Sequence, residues 1–363
     1  MGGLHRGASG RAHSGPGTGV PGGDTVGSHL RDQVLRWSVQ LEGHRPRVVF
    51  ADGDDPRVVS AAGWLAENTS VRPTLLTDGP DAETDGVDRW STVRLAGDAE
   101  LREVLRMRAN GVRRDPAEAD ALAADPVYTS AALVACGRAD AAVGGATRPT
   151  GDVIRAGISV IGLAPGVSTI SSSFVLVLQD GRRLAYGDCA VLPAPDEEQL
   201  AQVAVATART FRDLVDEDPV VAMLSFSTMG SAEHPEVDTV RSATELARAL
   251  QPDLCIDGEL QFDAALLESV GSSKAAGSPV AGRANVLVFP NLSAGNIAYK
   301  ITERLAGAAA IGPVLQGLAA PMNDLSRGCS DRDAIAVALL SAVQAVHADG
   351  HAGLRVAQPA TAG

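Results

Sequence analysis

Short apolar runs rich in β-branched residues alternate with amphipathic segments along most of the chain. Runs at residues 47–51, 74–77 and 139–144 predict buried strands, because strands covered on both faces are apolar throughout. Similar runs occur at residues 171–179, 184–188, 220–225, 285–289 and 309–312. Strands that alternate with helices favour an α/β fold with mainly parallel sheets, whose ligands bind at the carboxyl ends of the strands.

The length of the chain predicts more than one core. Its 363 residues suggest two domains of roughly 150 residues each, and the pattern changes at about residue 165, where paired strands replace helices. Residues 1–30 are rich in Gly and Ser and lack the apolar core of a secretory signal, so we expect a disordered extension. Residues 348–363 are also expected to be loosely ordered.

The charge of the chain restricts its partners. A net charge of −13 argues against nucleic acid, which requires a basic face. An anionic ligand would need a local cluster of arginines, since the molecule as a whole repels it. No apolar run reaches the ~18 residues that a membrane span requires, so no membrane partner is expected.

The four cysteines are widely spaced and form no C-x-x-C pair, which argues against a zinc site and favours a reducing cytosol. They are Cys136, Cys189, Cys255 and Cys329. No pair of histidines has the spacing of metal ligands, so no metal site is expected. The P-loop, G-x-G-x-x-G and G-x-S-x-G motifs are also missing, which argues against a P-loop kinase, a dinucleotide site and a serine hydrolase.

Residues 321–333, P-M-N-D-L-S-R-G-C-S-D-R-D, hold the densest set of polar groups. Turn-forming residues predict an ordered loop in the first half, and Ser330 is a predicted N-cap with acids in the following helical turn. Ser326, Arg327 and Asp333 place a hydroxyl, a guanidinium and a carboxylate close together in sequence. Both a capped helix after a turn and a catalytic loop explain this segment, and the segment alone does not decide between them.

A second polar segment, residues 144–155, ends a predicted strand and opens a predicted helix. Backbone N–H groups and the helix dipole at such a place favour an anion. Thr150 is a candidate cap of that helix, and Arg155 follows about one and a half turns later, where its guanidinium fork suits a phosphate. Arg106 and Arg108 are weaker candidates of the same kind. Surface arginines on an exposed face explain the pattern equally well.

A third polar segment is the helix predicted at residues 293–305. Its polar face contains Asn296, Tyr299, Lys300 and Glu303. Its apolar stripe is expected to face the core and contains Ile297, Ile301 and Leu305. Solvation explains the polar face as well as ligand binding does.

Several long blocks identify a family. They include V-V-F-A-D-G-D-D-P-R-V, G-G-A-T-R-P-T-G-D-V-I-R, D-G-E-L-Q-F-D-A-A and N-D-L-S-R-G-C-S. Over residues 45–346 the chain resembles the phosphate acetyltransferases (phosphotransacetylases) of the phosphate acetyl/butyryl transferase family. The resemblance implies the reversible reaction of acetyl-CoA with phosphate to give acetyl phosphate and CoA. CoA is then a substrate, and no cofactor or metal is implied.

The resemblance also implies an architecture: two three-layer αβα domains with mainly parallel sheets and the active-site cleft between them. The first domain would be discontinuous, with residues 31–165 and 317–353, and the second would span residues 166–316. A cytoplasmic homodimer with a functional link to acetate kinase is implied as well.

Site residues can be carried over by position. The family's catalytic serine, arginine and aspartate match Ser326, Arg327 and Asp333. Arg155 matches a substrate arginine, and a second one falls at Arg106 or Arg108, with Arg106 favoured; Thr150 and Lys300 are lesser candidates. The chain departs from the family at Arg148, where His is frequent, and at Ala156, where Pro is frequent.

The chemistry of the implied reaction places a demand on Asp333. As general base for the CoA thiol, an ordinary aspartate titrates ~4.6 pH units below a thiol, a gap of about 6 kcal/mol. The site must therefore raise the pKa of Asp333, lower that of the thiol with a cation such as Arg327, or do both. Ser326 would orient the thiol or stabilise the oxyanion, and direct transfer in a ternary complex is favoured over an acyl-serine.

Three alternatives compete with acetyl transfer. A phosphate butyryl- or propionyl-type acyltransferase would act on longer acyl groups, but the N-D-L-S-R-G-C-S block resembles the acetyl branch. A non-catalytic acetyl-CoA sensing module would not need Ser326, Arg327 and Asp333 together. A metal-dependent decarboxylating dehydrogenase would need clustered aspartates and a nucleotide site, which the sequence does not contain.

Overall fold

The computed structural model describes residues 23–352, and the side chains of residues 30–348. Within this range twelve strands form two six-stranded sheets, each covered by helices, which confirms the predicted α/β fold with mainly parallel sheets. The strands are β1 (Arg47–Phe50), β2 (Arg72–Thr77), β3 (Ala82–Thr84), β4 (Val87–Ser91), β5 (Ala141–Gly144), β6 (Ser171–Val177), β7 (Arg183–Gly187), β8 (Val220–Leu224), β9 (Cys255–Leu260), β10 (Val286–Val288), β11 (Ala309–Gln316) and β12 (Met322–Asp324).

Most helices begin at an aspartate, asparagine or serine cap or at a proline in the first turn, as N-terminal capping requires. They are α1 (Gly23–Gln40), α2 (Pro56–Asn68), α3 (Thr92–Ala96), α4 (Ala99–Arg106), α5 (Pro116–Ala123), α6 (Pro126–Ala135), α7 (Thr150–Ala156), α8 (Glu197–Val215), α9 (Pro235–Leu250), α10 (Phe262–Leu266), α11 (Glu268–Lys274), α12 (Leu292–Ala306) and α13 (Asp331–Ala352). A π-helical turn, Gly157–Ile161, extends α7. None of the helices in the described range is long and apolar enough to cross a membrane.

The first sheet has the strand order β12-β5-β1-β2-β4-β3, and only its β3–β4 pair is antiparallel. Its edge strand β12 lies within the segment predicted to be a loop, and that prediction is wrong for three residues. β12 pairs with β5 over its whole length, with Asp324 opposite Gly144. The polar Asn323 is tolerated inside because its amide donates to Ser341 and Gln344 and accepts from the backbone N–H of Leu315.

The second sheet has the order β11-β6-β7-β10-β8-β9, with antiparallel pairs at β11–β6 and β6–β7. One apolar core runs between helices of both sheets, since α13 packs on α2 and on α8. α1 joins this core through Trp37, whose indole N–H donates to the carbonyl of Leu214 at 2.7 Å. Residues 23–30 of the predicted disordered extension therefore belong to α1, because the same helix continues into these core contacts; residues 1–22 lie outside the described range.

The orientation of α12 differs from the prediction. Ile297, Ile301 and Leu305 are 57%, 51% and 84% exposed instead of facing the core. The helix turns another face inward, because Gly295 packs against the Asp188 carbonyl and the Tyr299 ring stacks on Phe174 with centroids 4.0 Å apart. The predicted polar face is thus partly internal, and the apolar stripe lies on the surface.

Candidate active site

Three loops meet at one edge of the first sheet, where the parallel neighbours β1, β5 and β12 end. They are residues 51–55, 145–149 and 325–330. The backbone N–H of Leu325 donates to the carbonyl of Gly144 at 2.6 Å, which holds the third loop against the second. Because carboxyl ends of adjacent parallel strands lie side by side, residues distant in sequence converge here.

The loop after β12 presents its polar side chains to solvent. Ser326 and Arg327 are exposed, while Leu325 and Cys329 are buried beneath them. A turn closes between the Cys329 N–H and the Ser326 carbonyl at 2.9 Å, and the Ser326 hydroxyl accepts from the N–H of Gly328 at 3.3 Å. The loop is therefore anchored by apolar residues and displays the hydroxyl and the guanidinium outward.

Arg57, at the start of α2, fastens this loop to its neighbour. Its guanidinium donates to the carbonyls of Arg327 and Cys329 at 2.9 Å and of Ala146 at 3.0 Å. Asp55 fixes the guanidinium through bonds of 2.7 and 2.9 Å, and these bonds raise the pKa of Arg57. The sequence did not identify this role.

Asp333 and Ser330 cap α13 reciprocally. The Asp333 carboxylate accepts from the Ser330 N–H at 2.8 Å and from its hydroxyl at 2.9 Å, and the Asp333 N–H donates back to the Ser330 oxygen at 3.2 Å. The predicted cap is confirmed. Within the described residues, the guanidinium of Arg327 makes no hydrogen bond or ion pair, so Arg327 and Asp333 are not paired with each other.

The backbone N–H groups after β5 do not point to an open anion site. The Asp52 carboxylate accepts from the N–H groups of Gly145 at 2.8 Å, Ala146 at 3.1 Å and Thr147 at 3.3 Å, and from the Thr147 hydroxyl. The expectation that these donors bind a substrate anion is wrong, because the chain's own carboxylate occupies them. The same contacts give the loop a fixed shape.

Thr150 also has a different contact from the predicted one. Pro149 occupies the N-cap position of α7, and the Thr150 hydroxyl donates to Asp324 Oδ2 at 2.6 Å. Asp324 is 1% exposed, and its Oδ1 has no hydrogen-bond partner among the described residues. The pKa of Asp324 is raised to about 7, mainly by burial; the Thr150 bond opposes this rise and the Asp52 carboxylate adds to it.

Of the arginines of the candidate phosphate site, Arg155 is exposed and Arg106 is half-buried, and each pairs with an acid on its own helix. Arg155 pairs with Asp152, and Arg106 pairs with Glu103 at 3.2 Å. The N–H of Ala109 donates to the Ser159 carbonyl at 3.0 Å, which ties the segment after α4 to the turn that extends α7. The two candidate arginines therefore lie on connected elements.

The remaining candidates have other contacts. Arg108 pairs with Glu118 at 2.7 Å, and Arg148, where the family often has His, pairs with Asp125 at 2.8 Å. Lys300 lies 4.3 Å from the ring centroid of its neighbour Tyr299 on α12, beside the second sheet. Its described contacts do not join it to the loops at the edge of the first sheet.

Comparisons with known proteins agree with one another. A family model described as "Phosphate acetyl/butaryl transferase" matches residues 34–342. The phosphate acetyltransferase of Clostridium acetobutylicum is 48% identical over 321 residues, 83% of this chain and 95% of that protein. The phosphate acetyltransferase of Paracoccus denitrificans is 43% identical, over 86% of this chain and 98% of that protein. A solved phosphotransacetylase from Streptococcus pyogenes is 38% identical, with a TM-score of 0.78 over 87% of this chain and 99% of that one.

Proposed function

The chain belongs to the phosphate acetyl/butaryl transferase family, and we propose from this premise that it transfers an acetyl group reversibly between coenzyme A and inorganic phosphate. The observation that carries the proposal is the anchored loop after β12, which exposes Ser326 and Arg327 and leads into α13, where Asp333 lies exposed in the first turn. Loops fixed on a rigid sheet edge are where such chemistry is usually built. Coenzyme A is a substrate in this proposal, and no further cofactor is required.

We propose Asp333 as the base in acetyl-CoA formation. The thiol proton of CoA passes to the Asp333 carboxylate as sulfur bonds to the carbonyl carbon of acetyl phosphate. The carbon–oxygen bond to phosphate then breaks, and phosphate leaves with the electron pair. The guanidinium of Arg327 makes no hydrogen bond or ion pair among the described residues, so it is available to stand beside the sulfur and lower the pKa of the thiol. That arrangement reduces the difference of about 6 kcal/mol between the aspartate and the thiol, and it does not lower the pKa of Asp333.

Ser326 has a supporting role in this proposal. Its hydroxyl proton is available to the oxyanion that develops on the carbonyl, because the oxygen itself accepts from Gly328 N–H. In the described hydrogen bonds Ser326 has no histidine or carboxylate as a neighbouring base, which supports direct transfer over an acyl-serine.

Arg155 and Arg106 are proposed to hold the phosphate. Their ion pairs with Asp152 and Glu103 are solvent-exposed, and exposed pairs contribute only about 0–1 kcal/mol. Exchanging such a carboxylate for a phosphate oxygen therefore costs little. Thr150 and Lys300 remain lesser candidates, since each already contacts a neighbour.

Release of free thiol from acetyl-CoA, with and without phosphate, tests the function. We expect phosphate-dependent release, slower with propionyl-CoA and butyryl-CoA. Faster release from butyryl-CoA would favour the longer-chain alternative. Binding of acetyl-CoA without any release would favour a sensing module. Release that does not depend on phosphate would refute the proposal.

A second copy of the chain is the proposed partner, in a homodimer. Its support is the exposed stripe of Ile297, Ile301 and Leu305 on α12, since burial of such a stripe stabilises association. Light scattering after size exclusion should show a dimer, and Ile301→Glu should shift it toward monomer. Val93→Glu, at a position 74% exposed on α3, is the matched control and should remain dimeric. A dimer unaffected by Ile301→Glu would place the interface elsewhere.

The cellular setting completes the proposal. The four cysteines are unpaired, which supports a reducing cytoplasm. A functional link to acetate kinase stays a prediction, which rests on acetyl phosphate as the shared compound.

A further inference from the structure

Asp324 is a buried carboxyl that the proposed chemistry does not use. It ends β12, two residues before Ser326, and is 1% exposed. One oxygen accepts from the Thr150 hydroxyl at 2.6 Å, and the other has no partner among the described residues. Most buried polar atoms in native proteins are hydrogen-bonded, so an orphaned carboxyl oxygen beside a candidate active site calls for an explanation.

The backbone around Asp324 leaves no room for a side chain on the opposite loop. Gly145 has a φ of +106°, and a Cβ there would collide with Asp324 Oδ1 and lie 2.7 Å from the Leu325 carbonyl oxygen. Gly145 also donates its N–H to Asp52. The backbone of Gly145 thus packs directly against the Asp324 carboxyl, and this close contact joins the loop after β5 to the end of β12.

We propose that Asp324 is a positioning residue, which fixes the helix carrying Arg155 to the strand end from which the Ser326 and Arg327 loop departs; this rests on the proposed function. Thr150 is the first residue of α7, and Arg155 follows five residues later, about 7.5 Å along the helix. A hydrogen bond at Thr150 therefore sets where the phosphate-binding guanidinium stands relative to the thiol-handling loop.

The charge of this link changes near neutral pH. The pKa of Asp324 is raised to about 7, chiefly by burial and also by the Asp52 carboxylate, while the Thr150 hydrogen bond acts in the opposite direction. Asp52 faces it from the loop after β1, Asp152 and Arg155 lie on α7, and α13 contacts β12 through Ser341 and Gln344 at Asn323. Among the described residues no cation pairs with Asp324.

Ionisation of Asp324 therefore adds an unpaired negative charge roughly 10 Å from a phosphate held by Arg155. With an effective dielectric constant of about 20, repulsion at that distance weakens binding about 10-fold. We expect the KM for acetyl phosphate to rise by about that factor between about pH 6 and pH 8.5, with a smaller change in kcat.

The test measures KM for acetyl phosphate and kcat across this pH range in four variants. Asp324→Asn keeps an acceptor for Thr150 and carries no charge, so its KM should lose most of the pH dependence. Thr150→Val removes the link and should raise KM about 10-fold at every pH, while Thr150→Ser should restore it. Asp324→Ala should behave like Thr150→Val.

The outcomes separate two failures. If wild type forms no acetyl-CoA, the proposed function itself is wrong. If wild type is active but Asp324→Asn keeps the full pH dependence, or Thr150→Val keeps the wild-type KM, the positioning role is refuted. Thermal unfolding of each variant accompanies the assay, and a raised KM in a variant that melts as wild type does supports the role.

Discussion

Two buried carboxyl groups occupy comparable places in the two sheets, and they behave in opposite ways. Glu259 in β9 is 1% exposed, as Asp324 in β12 is. Glu259 accepts from Arg241 at 2.8 and 3.0 Å, from the Gly230 N–H at 2.9 Å and from the Ser227 hydroxyl at 2.7 Å. Burial raises its pKa, but these donors outweigh burial and lower the pKa to about 2.

The comparison shows what a built-in cation does to a buried acid. Glu259 carries a permanent charge that holds the loop after β8 in place, whereas Asp324 has one hydroxyl donor and a pKa of about 7. A group that exchanges its proton near neutrality is useful beside chemistry and costly elsewhere. The acid left without a cation is the one two residues from Ser326.

The largest expected effect concerns the stability of the Asp324→Asn variant. The folded-state pKa of about 7 lies above the ordinary value of 3.8, so Asp324 binds its proton more tightly in the folded protein than in the unfolded one. Its contribution to the free energy of unfolding is fully present below about pH 4 and is lost as the pH rises through 7. The difference corresponds to about 4 kcal/mol. Urea unfolding should show that, between about pH 4 and pH 8, the free energy of unfolding of Asp324→Asn rises relative to that of wild type by up to that amount.

Asp331→Asn is the control for this measurement, because Asp331 is exposed in the first turn of α13. Its stability relative to wild type should change little over the same range. If the free energies of unfolding of Asp324→Asn and wild type differ by the same amount at both ends of the range, Asp324 does not have a raised pKa in the folded protein.

The next largest effect concerns the ion pair between Arg241 and the buried Glu259. Arg241→Ala leaves the Glu259 carboxylate buried without its cation, so this variant should lose more stability than one that breaks an exposed pair. Urea unfolding at neutral pH measures the loss. Arg209→Ala removes an exposed pair with Asp213 and should cost less than about 1 kcal/mol. Equal losses in the two variants would show that the Glu259 pair is no stronger than a surface pair.

The sequence could predict the elements that follow simple rules. Strands β5 and β8 are apolar throughout and β1 is apolar after Arg47, as expected of buried parallel strands, and the cap at Ser330 follows from hydroxyl and acid spacing. β12 escaped prediction because its Asn323 and Asp324 are typical of turns, and only tertiary partners make them tolerable in a strand.

Long-range contacts explain the rest of what was missed. Arg57 reaches the Arg327 carbonyl across 270 positions, and no local pattern indicates such a bond. The orientation of α12 depends on the stacking of Tyr299 on Phe174, which periodicity does not reveal. Ser326, Arg327 and Asp333 were identified through the family resemblance, whereas the burial of Asp324 in the same block has no sequence signature.

A third carboxylate sharpens the comparison, because it is neither buried nor paired with a cation. Asp333 is exposed, and among the described residues its carboxylate accepts only from Ser330. Asp333→Asn should lower kcat on the order of 10²-fold, the low end for a general base, and leave the KM for acetyl phosphate within about 3-fold. Loss of the capping box should also cost about 1 kcal/mol of stability.

Steady-state assays of Asp333→Asn and Asp331→Asn provide the check, since both side chains lie in the first turn of α13. Asp331→Asn should retain wild-type kcat. A kcat in Asp333→Asn close to that of Asp331→Asn would remove Asp333 as the base and leave it as a helix cap.

The smallest expected effect contrasts two arginines that bind acids. Arg241 is committed to a buried glutamate, whereas Arg155 is 65% exposed and pairs with Asp152 one turn earlier on its own helix. The exposed pair costs little free energy to exchange, so Arg155 is available to a phosphate.

Arg155→Ala should raise the KM for acetyl phosphate about 10-fold, because a charge-assisted hydrogen bond contributes about 1.5 kcal/mol or more, and should change kcat less. Arg182→Ala, at a similarly exposed arginine near the second sheet, should change neither constant. An effect of Arg155→Ala on the KM for CoA alone would move Arg155 from the phosphate to the coenzyme, and the proton on Asp324 would then act on CoA binding instead.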